Sequence, residues 1–518
     1  MFLSQGPPGT GKTVCAGHLV QKWRERLNDI DWIQGTCWDE EEDFDEREWD
    51  DRAGLSDGSR RILLVAPSNV AVDNLLASFL ECERAMPSAE PLQVVRLGNA
   101  ARVAQELAPF TLESLMKEHP QFNQLKALRS EEAQALKDQT RCRAQDVGAG
   151  GGTLYAERGR NLGREAKRIQ KSAHNLERSI SRDLVRGCDV VATTCVSAGS
   201  AIMGREKFGL LIVDEASQAT EPEVLIALLR LERSGQVVLV GDHCQLPPVV
   251  IALGEGNSPA DALAAAPLGM SLFERIARLV KSEGDADATK GWVALDLLRE
   301  QYRMHPALSS WPSKHFYSGL LVDAVHATDR PPIKGLLWPT AKSGDSHSPV
   351  VFMNFSEASE SGTLEVQDSF SSYSNEAEAR AAVAIVDAAL RSDPNLTYHG
   401  VAIVTPYLAQ QALILTFLAE GGADPERVQV RTVDGFQGRE KDLVVLSAVR
   451  CNPQGDIGFT GDWRRINVAL TRARRGLVVL GNAATLSTSP DWQNWLSHVT
   501  DAGAYIETSD QSAAPFAR

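Results

Sequence analysis

The hydrophobic residues of this chain are concentrated in short continuous runs separated by longer stretches of mixed polarity. In the first 285 residues, five runs have the length of a β-strand: Arg61–Ala66, Leu92–Leu97, Asp189–Thr193, Gly209–Val213 and Gln236–Val240. Continuous rather than alternating apolar runs are typical of parallel strands that are buried on both faces. Helical patterns lie between them, so this order predicts an α/β domain with a parallel sheet and right-handed crossovers.

A second set of apolar runs predicts a second α/β domain. These runs are Val350–Phe355, Val401–Thr405, Val428–Thr432, Leu443–Ser447 and Leu477–Leu480. The acidic, glycine-containing stretch Ser282–Lys290 separates the two sets and is typical of a linker, while the serine-rich stretch Ser356–Ser374 predicts a loop. We therefore expect domains at residues 1–285 and 286–490. A C-terminal tail at 491–518 follows them, frayed beyond about residue 505.

Two charged insertions interrupt the first predicted domain. The insertion at residues 36–60 contains Asp39–Asp51, which has ten acidic residues and one Arg. We interpret it as a surface loop, and an autoinhibitory mimic of nucleic acid is the alternative. The insertion at 121–186 is divided by Gly148–Gly152 and predicts a helical hairpin. Its second arm, Glu157–Arg186, has nine basic and four acidic residues. It is either a solvated helix face or an arm that contacts phosphates.

The composition is that of an ordinary globular protein and provides no membrane or disulfide signal. Of the 518 residues, 43% are hydrophobic and 23% are charged, and the eight cysteines are scattered without a C-x-x-C pair. Because no apolar run reaches 18 residues, we expect no membrane span; we also expect no zinc site, and a reducing compartment. The net charge is −15, of which −9 lies in the acidic segment, so −6 remains for the rest of the chain. That balance is compatible with a basic groove for nucleic acid.

A phosphate-binding loop lies at the very start of the chain. The sequence GPPGTGKT matches the pattern G-x-x-x-x-G-K-[ST] in full. Its glycines allow the backbone N–H groups to surround phosphates, Lys12 supplies a point charge, and the Thr13 hydroxyl is a hard ligand for Mg²⁺. The run Val14–Leu27 predicts a helix whose N-terminus faces the anion. We expect the whole segment to bind nucleotide: Gly6, Pro7, Pro8, Gly9, Thr10, Gly11, Lys12 and Thr13.

Acidic and polar residues follow two later strands of the first predicted domain. Asp214 ends the strand of the run LLIVDEASQ, next to the expected phosphate strand, and is placed to bind Mg²⁺. Glu215 comes next and fits the group that deprotonates the attacking water; a helix N-cap is the alternative for this pair. In GDHCQLPP, Gln245 follows the neighbouring strand and can contact the γ-phosphate or its water. The sequence therefore predicts phosphoryl-transfer chemistry that uses ATP and Mg²⁺.

The second predicted domain has arginines suited to the same chemistry. In REQYRMHP, Arg303 can stabilise transferred phosphate, and Tyr302 can stack on a base ring. In NVALTRAR, Arg472 can stabilise the transferred phosphate in the same way. Between them, the loop RTVDGFQGREKD includes Thr432, Asp434, Gln437, Gly438 and Glu440 and can couple the nucleotide state to a bound strand.

Taken together, these motifs resemble those of the superfamily 1 helicases. Within that group they resemble the RNA helicase family of nonsense-mediated mRNA decay. The resemblance extends from Gln5 to about Trp495 through an ordered series of stretches. They read QGPPGTGKT, APSNVAVDNLL, TTCVSAG, DEASQATEPE, VGDHCQLPPVV, QYRMHPALS, VTPY, TVDGFQGREKD and RRINVALTRARRGLVVLGN.

The resemblance implies two tandem RecA-like domains and ATP-driven 5′-to-3′ movement on single-stranded RNA. It assigns ATPase roles to Lys12, Thr13, Asp214, Glu215, Gln245, Arg303 and Arg472, nucleotide binding to Tyr302, Gly438 and Glu440, and strand contacts to Pro67, Ser68, Asn69, Thr193, Thr194, Thr405, Pro406, Tyr407 and Thr432. It also implies a monomeric protein that acts with mRNA decay factors. Its implied location is the cytoplasm, with the nucleus as a further location.

This sequence departs from the family pattern in three places. The zinc-binding Cys/His-rich domain is not recognisable, only five residues precede the phosphate-binding loop where the family has a β-barrel, and the acidic insertion is additional. Two alternatives stay open from the sequence: a DNA helicase of the same superfamily in replication or repair, and a scaffold protein without motor activity.

Overall fold

The chain folds into two compact units, each built on a largely parallel β-sheet. Unit 1 comprises Met1–Leu3, Thr13–Gly241 and Pro248–Ala294; unit 2 comprises Ser4–Lys12, Asp242–Pro247 and Leu295–Arg518. Two short segments of the first predicted domain thus cluster with unit 2. The computed structural model describes residues 1–23, 60–85, 92–148, 153–250, 266–283, 293–340, 347–356, 364–396, 400–421 and 428–508.

The first sheet has seven strands in the order β3-β4-β2-β5-β6-β1-β7. They are β1 (Phe2–Gln5), β2 (Ile62–Ala66), β3 (Val94–Arg96), β4 (Val190–Thr194), β5 (Phe208–Val213), β6 (Leu231–Gly241) and β7 (Ala294–Leu297). The pairings of β2 with β4 and β5, of β3 with β4 and of β5 with β6 are all parallel. Every residue of β2 and β5 is buried, which explains their unbroken apolar sequences.

Helices cover this sheet and extend from it. They are α1 (residues 12–23), α2 (Asn69–Ala85), α3 (Leu112–Glu118), α4 (Phe122–Gly148), α5 (Thr153–Gly187), α6 (Glu221–Leu228) and α7 (Leu272–Glu283). The helices α4 and α5 are the predicted hairpin of the second insertion. Its seam contains Leu125, Ala173 and Ile180.

The second sheet has six strands in the order β14-β13-β15-β16-β10-β17, and β8-β9 and β11-β12 form two separate two-stranded sheets. The strands of unit 2 are β8 (Glu300–Gln301), β9 (Val322–Asp323), β10 (Val350–Asn354), β11 (Val366–Gln367), β12 (Tyr373–Ser374), β13 (Val401–Thr405), β14 (Gln429–Thr432), β15 (Lys441–Ser447), β16 (Ala473–Gly481) and β17 (Tyr505–Glu507). All five pairings in the six-stranded sheet are parallel. The helices are α8 (Pro306–Phe316), α9 (Glu376–Ser392), α10 (Leu408–Glu420), α11 (Trp463–Leu470), α12 (Ala483–Leu486) and α13 (Pro490–Asp501).

The predicted α/β class with two parallel sheets and a helical insertion is therefore confirmed, and three local expectations need correction. The expected tail contains α13, whose Trp492, Trp495 and Val499 fall on one helix face and enter the core, and β17, which pairs with β10. The expected serine-rich loop contains the antiparallel ribbon β11–β12. The strand β6 lies between β1 and β5, so the strand that carries Asp214 is not adjacent to the phosphate-loop strand.

Four expectations fall outside the described residues, wholly or in large part. They are the acidic insertion at 36–60, the turn after Gly148, the linker from residue 284 and the chain beyond residue 508. Within the described part of the chain, no helix is both long and apolar enough to cross a membrane.

Candidate nucleotide and strand sites

The phosphate-binding loop has a compact backbone that only small residues permit. The Thr10 hydroxyl donates to the Pro7 carbonyl at 2.8 Å, and the Lys12 ammonium donates to the Gly6 carbonyl at 2.7 Å. A Cβ on Gly6 would lie 1.9 Å from the Lys12 Cγ. Gly9 has a φ of 76°, a conformation that glycine adopts without strain. Pro7 and Pro8 are buried. The loop is thus a tight turn that leads into the N-terminus of α1.

In unit 1, the first turn of α1 lies against the end of β5. The Thr13 hydroxyl donates to Asp214 Oδ2 at 3.0 Å, and Asp214 is 2% exposed. Two oxygens at adjacent corners of a Mg²⁺ octahedron, with bonds of about 2.1 Å, are also about 3.0 Å apart. The residues therefore fit a Mg²⁺ ion, and Thr13 reaches Asp214 even though β6 separates their strands.

Glu215 follows in a strained backbone conformation. Its φ is 51°, which is uncommon for a residue other than glycine, and such conformations cluster at active sites. The Glu215 N–H donates to Asp214 Oδ1 at 2.9 Å, and its carboxylate accepts from Gln218 Nε2 at 2.7 Å. The next helix, α6, is capped by Thr220 together with Glu223, not by this acidic pair. The N-cap alternative for Asp214 and Glu215 is therefore wrong.

In unit 2, the segment that follows β6 is held by a buried hydrogen-bond network. Asp242 Oδ2 accepts from Gln245 Nε2 and from the Tyr317 hydroxyl, both at 2.7 Å. Asn467 Nδ2 donates to the Tyr317 hydroxyl and to the Cys244 carbonyl, both at 2.8 Å. Burial and the charge of Asp242 raise the pKa of Tyr317 well above its usual value, so the phenol stays a donor.

The same network orients Gln245 toward a buried arginine. Arg472 Nη2 donates to Gln245 Oε1 at 3.3 Å, and its Nε donates to the Val468 carbonyl at 2.8 Å. Arg472 is 2% exposed and Gln245 is 3% exposed. Structure thus brings together two residues that the sequence separates by 227 positions.

Arg303 also lies in unit 2, directly beside the phosphate-binding loop. The Tyr302 N–H donates to the Gly9 carbonyl at 2.9 Å, and a Cβ on Gly9 would lie 2.5 Å from the Arg303 Cβ. Arg303 Nε donates to Glu440 Oε2 at 2.5 Å. Burial would raise the pKa of Glu440, but the charge and hydrogen bond of Arg303 outweigh burial and lower it. Tyr302 is 54% exposed, so its ring is accessible.

The loop that precedes Glu440 is less constrained. The Thr432 hydroxyl accepts from the Gly435 N–H at 3.2 Å, and both carboxylate oxygens of Asp434 accept from Arg465. Gly438 has a φ of 75°, and nothing lies within 4 Å of where its Cβ would be.

The predicted strand contacts of unit 1 lie at one edge of its sheet. In the parallel register, Ala66 of β2 is opposite Thr194 of β4, so Pro67–Asn69 and Thr194 share the carboxyl edge. Ser68 is exposed, whereas Thr193 is fully buried and its hydroxyl has no partner among the described residues. Thr193 is therefore not accessible to a strand in this structure.

The predicted strand contacts of unit 2 differ among themselves in accessibility. Thr405 and Thr432 are opposite each other in the register of β13 and β14, and Thr405 is fully buried. Pro406 is partly exposed. Tyr407 is 4% exposed and accepts from Arg450 Nη1 at 3.3 Å. The structure therefore places the Tyr407 ring in the interior, where it packs near Tyr373 rather than facing solvent.

Sequence reasoning missed the residues that hold these side chains in position. They are Asp242, Tyr317 and Asn467 around Gln245, and Arg330, which donates to the carbonyls of Tyr302 and Arg303 at 2.9 and 3.0 Å. The motif GDHCQL already contains Asp242. Tyr317 and Arg330 have no local signal, because their partners are distant in sequence.

Comparison with known proteins gives consistent matches over most of the chain. Two family models, both described as AAA domain, match residues 1–253 and 268–484. The regulator of nonsense transcripts 1 homolog of Arabidopsis thaliana is 34% identical over 509 residues, which is 98% of this chain and 33% of that protein. The ATP-dependent helicase upf1 of Schizosaccharomyces pombe is 32% identical over 531 residues, 100% of this chain and 46% of that protein.

The chain also matches a third relative and a solved structure. The ATP-dependent helicase NAM7 of Saccharomyces cerevisiae is 33% identical, over 98% of this chain and 42% of that protein. The chain thus spans between about a third and a half of the length of these relatives. A structure of the PRRSV helicase has a TM-score of 0.36 at 13% identity, covering 94% of this chain and 53% of that one, which is too low to carry an argument.

Proposed function

We propose, from the premise that this chain belongs to the helicase family of regulator of nonsense transcripts 1, that it hydrolyses ATP to move along single-stranded RNA. The observation that carries the proposal is the pair Thr13 and Asp214. Their oxygens are 3.0 Å apart, directly after a complete phosphate-binding loop. A phosphate loop, a Mg²⁺-compatible oxygen pair and a carboxylate beside them are what ATP hydrolysis needs.

Each residue has a definite task in the proposed reaction. The N–H groups of the loop and Lys12 hold the phosphates, and Thr13 and Asp214 would hold Mg²⁺, which neutralises phosphate charge when bound. Glu215 accepts the proton of the attacking water, and the Gln218 amide orients its carboxylate.

Residues of unit 2 have further proposed roles in ATP hydrolysis. Arg303 and Arg472 stabilise the charge that develops on the transferred phosphate. Gln245 contacts the γ-phosphate or the water, and its hydrogen bond to Arg472 transmits the state of the nucleotide. Tyr302 stacks on the adenine ring, and its exposure supports this role.

The strand is held mainly by its backbone at the carboxyl edges of the two sheets. In unit 1, the strand contacts are Pro67–Asn69 and Thr194. In unit 2 they are Pro406 and Thr432. We further propose 5′-to-3′ movement, a cytoplasmic location and a role in nonsense-mediated mRNA decay, together with decay factors. The role in decay follows the names of the relatives, which are two to three times as long as this chain. The direction of movement and the location follow the sequence resemblance alone.

Steady-state ATPase measurements with and without single-stranded RNA test the proposal. Oligonucleotides of matched sequence in RNA and DNA form distinguish an RNA motor from a DNA helicase, and we expect stronger stimulation by RNA. Displacement of streptavidin from the 3′ end, and not from the 5′ end, is expected for 5′-to-3′ movement. No ATPase activity under any of these conditions would favour a scaffold without motor function.

A further inference from the structure

The outer face of α5 has a line of basic side chains that the ATPase function does not use. Six exposed residues form it, and we call them the basic stripe: Arg160, Arg164, Lys167, Lys171, Arg178 and Arg182. Their spacings of four, three, four, seven and four residues keep them within about 60° of one another around a helix of 3.6 residues per turn. The line is therefore a property of the folded helix and not a local charge run.

The opposite face of α5 packs on α4. Its buried residues recur every seven positions: Gly159, Ala166, Ala173 and Ile180. The four acidic residues of this arm, Glu157, Glu165, Glu177 and Asp183, all fall outside the 60° sector of the basic stripe, and Glu157 is the nearest, about 20° from its edge. The stripe lies on the exposed side of α5, and Arg160, Arg164 and Lys167 also border a groove formed with Glu132, Leu136 and Gln139 of α4.

The basic stripe also has no acidic partner elsewhere in the described chain. The ion pairs of the hairpin and its base involve Arg129 with Glu132 and Glu177, and Arg186 with Glu206. None of the six stripe residues makes an ion pair with another described residue. Six like charges on one face repel one another, and a polyanion relieves that repulsion.

The chemistry of this surface selects among anionic ligands. Single strands are usually bound through aromatic rings that stack on the bases, and α5 has no Phe, Tyr or Trp after residue 156. An RNA duplex displays phosphates and sugars on its outside and is recognised by shape and backbone contacts. From Arg160 to Arg182 the helix rises about 33 Å, which is long enough to contact several successive backbone phosphates of a duplex.

We propose that the basic stripe of α5 is a second nucleic-acid site, which binds the phosphate backbone of an RNA duplex. The site is independent of ATP turnover, so it can be tested even if the chain has no motor activity. It would hold double-stranded RNA against unit 1 through charge and shape, without reading base sequence.

The test is equilibrium binding of the full chain to a blunt 20-base-pair RNA duplex and to a 20-nucleotide single strand, without nucleotide, across a series of salt concentrations. The test variant is Arg164→Gln/Lys167→Gln/Lys171→Gln. The matched control is Lys126→Gln/Lys137→Gln/Arg141→Gln, which removes three exposed charges from α4 of the same hairpin. All six positions are exposed, so folding should survive, and circular dichroism checks this.

The test variant should lower the slope of log affinity against log salt by about 2.7 for the duplex, since each phosphate contact contributes about 0.9. At 0.15 M salt this corresponds to affinity loss of about 100-fold. Single-strand affinity and the control variant should be unchanged. Equal losses in both variants would mean nonspecific attraction, and a loss confined to the single strand would assign the stripe to unpaired RNA. Binding of poly-glutamate but of no RNA would assign it to an acidic protein. Each of these results overturns the proposal.

Discussion

Glu378 offers a quantitative test of how unit 2 is stabilised. The side chain lies on α9 and is fully buried. Its Oε2 accepts from the Ser447 hydroxyl at 2.6 Å and from the Val449 N–H at 2.8 Å, while Oε1 has no partner among the described residues. Burial raises the pKa of Glu378 to about 8, although both hydrogen bonds oppose the shift. The nearby carboxyl of Glu365 adds to the increase.

The sign of the pH effect follows from this raised pKa. Between pH 4.5 and about 8, the carboxyl is ionised in the unfolded chain and protonated in the folded one. The folded state then binds more protons, so stability falls by about 1.4 kcal/mol per pH unit across that window. At pH 7 the accumulated loss is about 3 kcal/mol. It vanishes below pH 4.5 and is constant above pH 8.

Glu378→Gln should recover this loss, because an amide keeps an acceptor for Ser447 and Val449 but never ionises. We expect the variant to match the parent at pH 4.5 and to be more stable by about 3 kcal/mol at pH 7. The exchange rates of the β15 backbone amides, measured for both proteins at each pH, report the stability of unit 2 separately from that of unit 1. Its slowest amides should exchange about 100-fold more slowly in the variant at pH 7.

The control Ser447→Ala removes the donor to Glu378 and the acceptor of Gln410 Nε2 but no charge, so it should cost at least about 1 kcal/mol with weak dependence on pH. If Glu378→Gln lost protection equally at pH 5 and pH 7, the carboxylate would be ionised in the folded protein and the reasoning would be refuted.

Three further predictions concern the proposed ATPase and strand sites. Lys12→Ala should abolish nucleotide turnover, whereas Glu215→Gln should bind ATP normally and lose at least ~100-fold in kcat; near-normal turnover of the Gln variant in a coupled ATPase assay would remove Glu215 as the base. Arg303→Ala and Arg472→Ala should each lower kcat, by up to ~10³-fold, with ATP affinity within a small factor. Loss of ATP binding with kcat intact would instead make that arginine a ground-state ligand. Tyr407→Phe should leave RNA affinity unchanged and cost about 1 kcal/mol of stability, since its hydroxyl accepts from Arg450 inside the protein. A tenfold weaker RNA affinity would show that the ring becomes accessible to the strand.

Local chemistry explains why much of this protein can be predicted from its sequence. The apolar runs are strands because both faces of each parallel sheet are covered, and all ten predicted runs correspond to observed strands. The phosphate loop is recognisable because its turn requires Gly9 and its phosphate contacts require Lys12. Both residues lie within one short stretch of the sequence. The helical hairpin was also predictable, since the charged stretch and the glycine-rich segment that divides it lie within one part of the sequence.

Other features depend on residues that only the tertiary structure brings together. The order of the first sheet, with β6 between β1 and β5, leaves no mark on any single strand. The Tyr407 ring is buried because Tyr373 and Arg450 surround it, which no local pattern reveals.

Sequence alone thus determined the two parallel sheets, the phosphate-binding loop and the identity of the candidate catalytic residues, because each depends on short-range patterns of side-chain type. Tertiary structure decided which of those residues meet and which are buried. It pairs Gln245 with Arg472 through the network of Asp242 and Tyr317. It also turns scattered arginines and lysines of α5 into one stripe. Both outcomes depend on how distant segments pack and on which face of a helix remains in solvent.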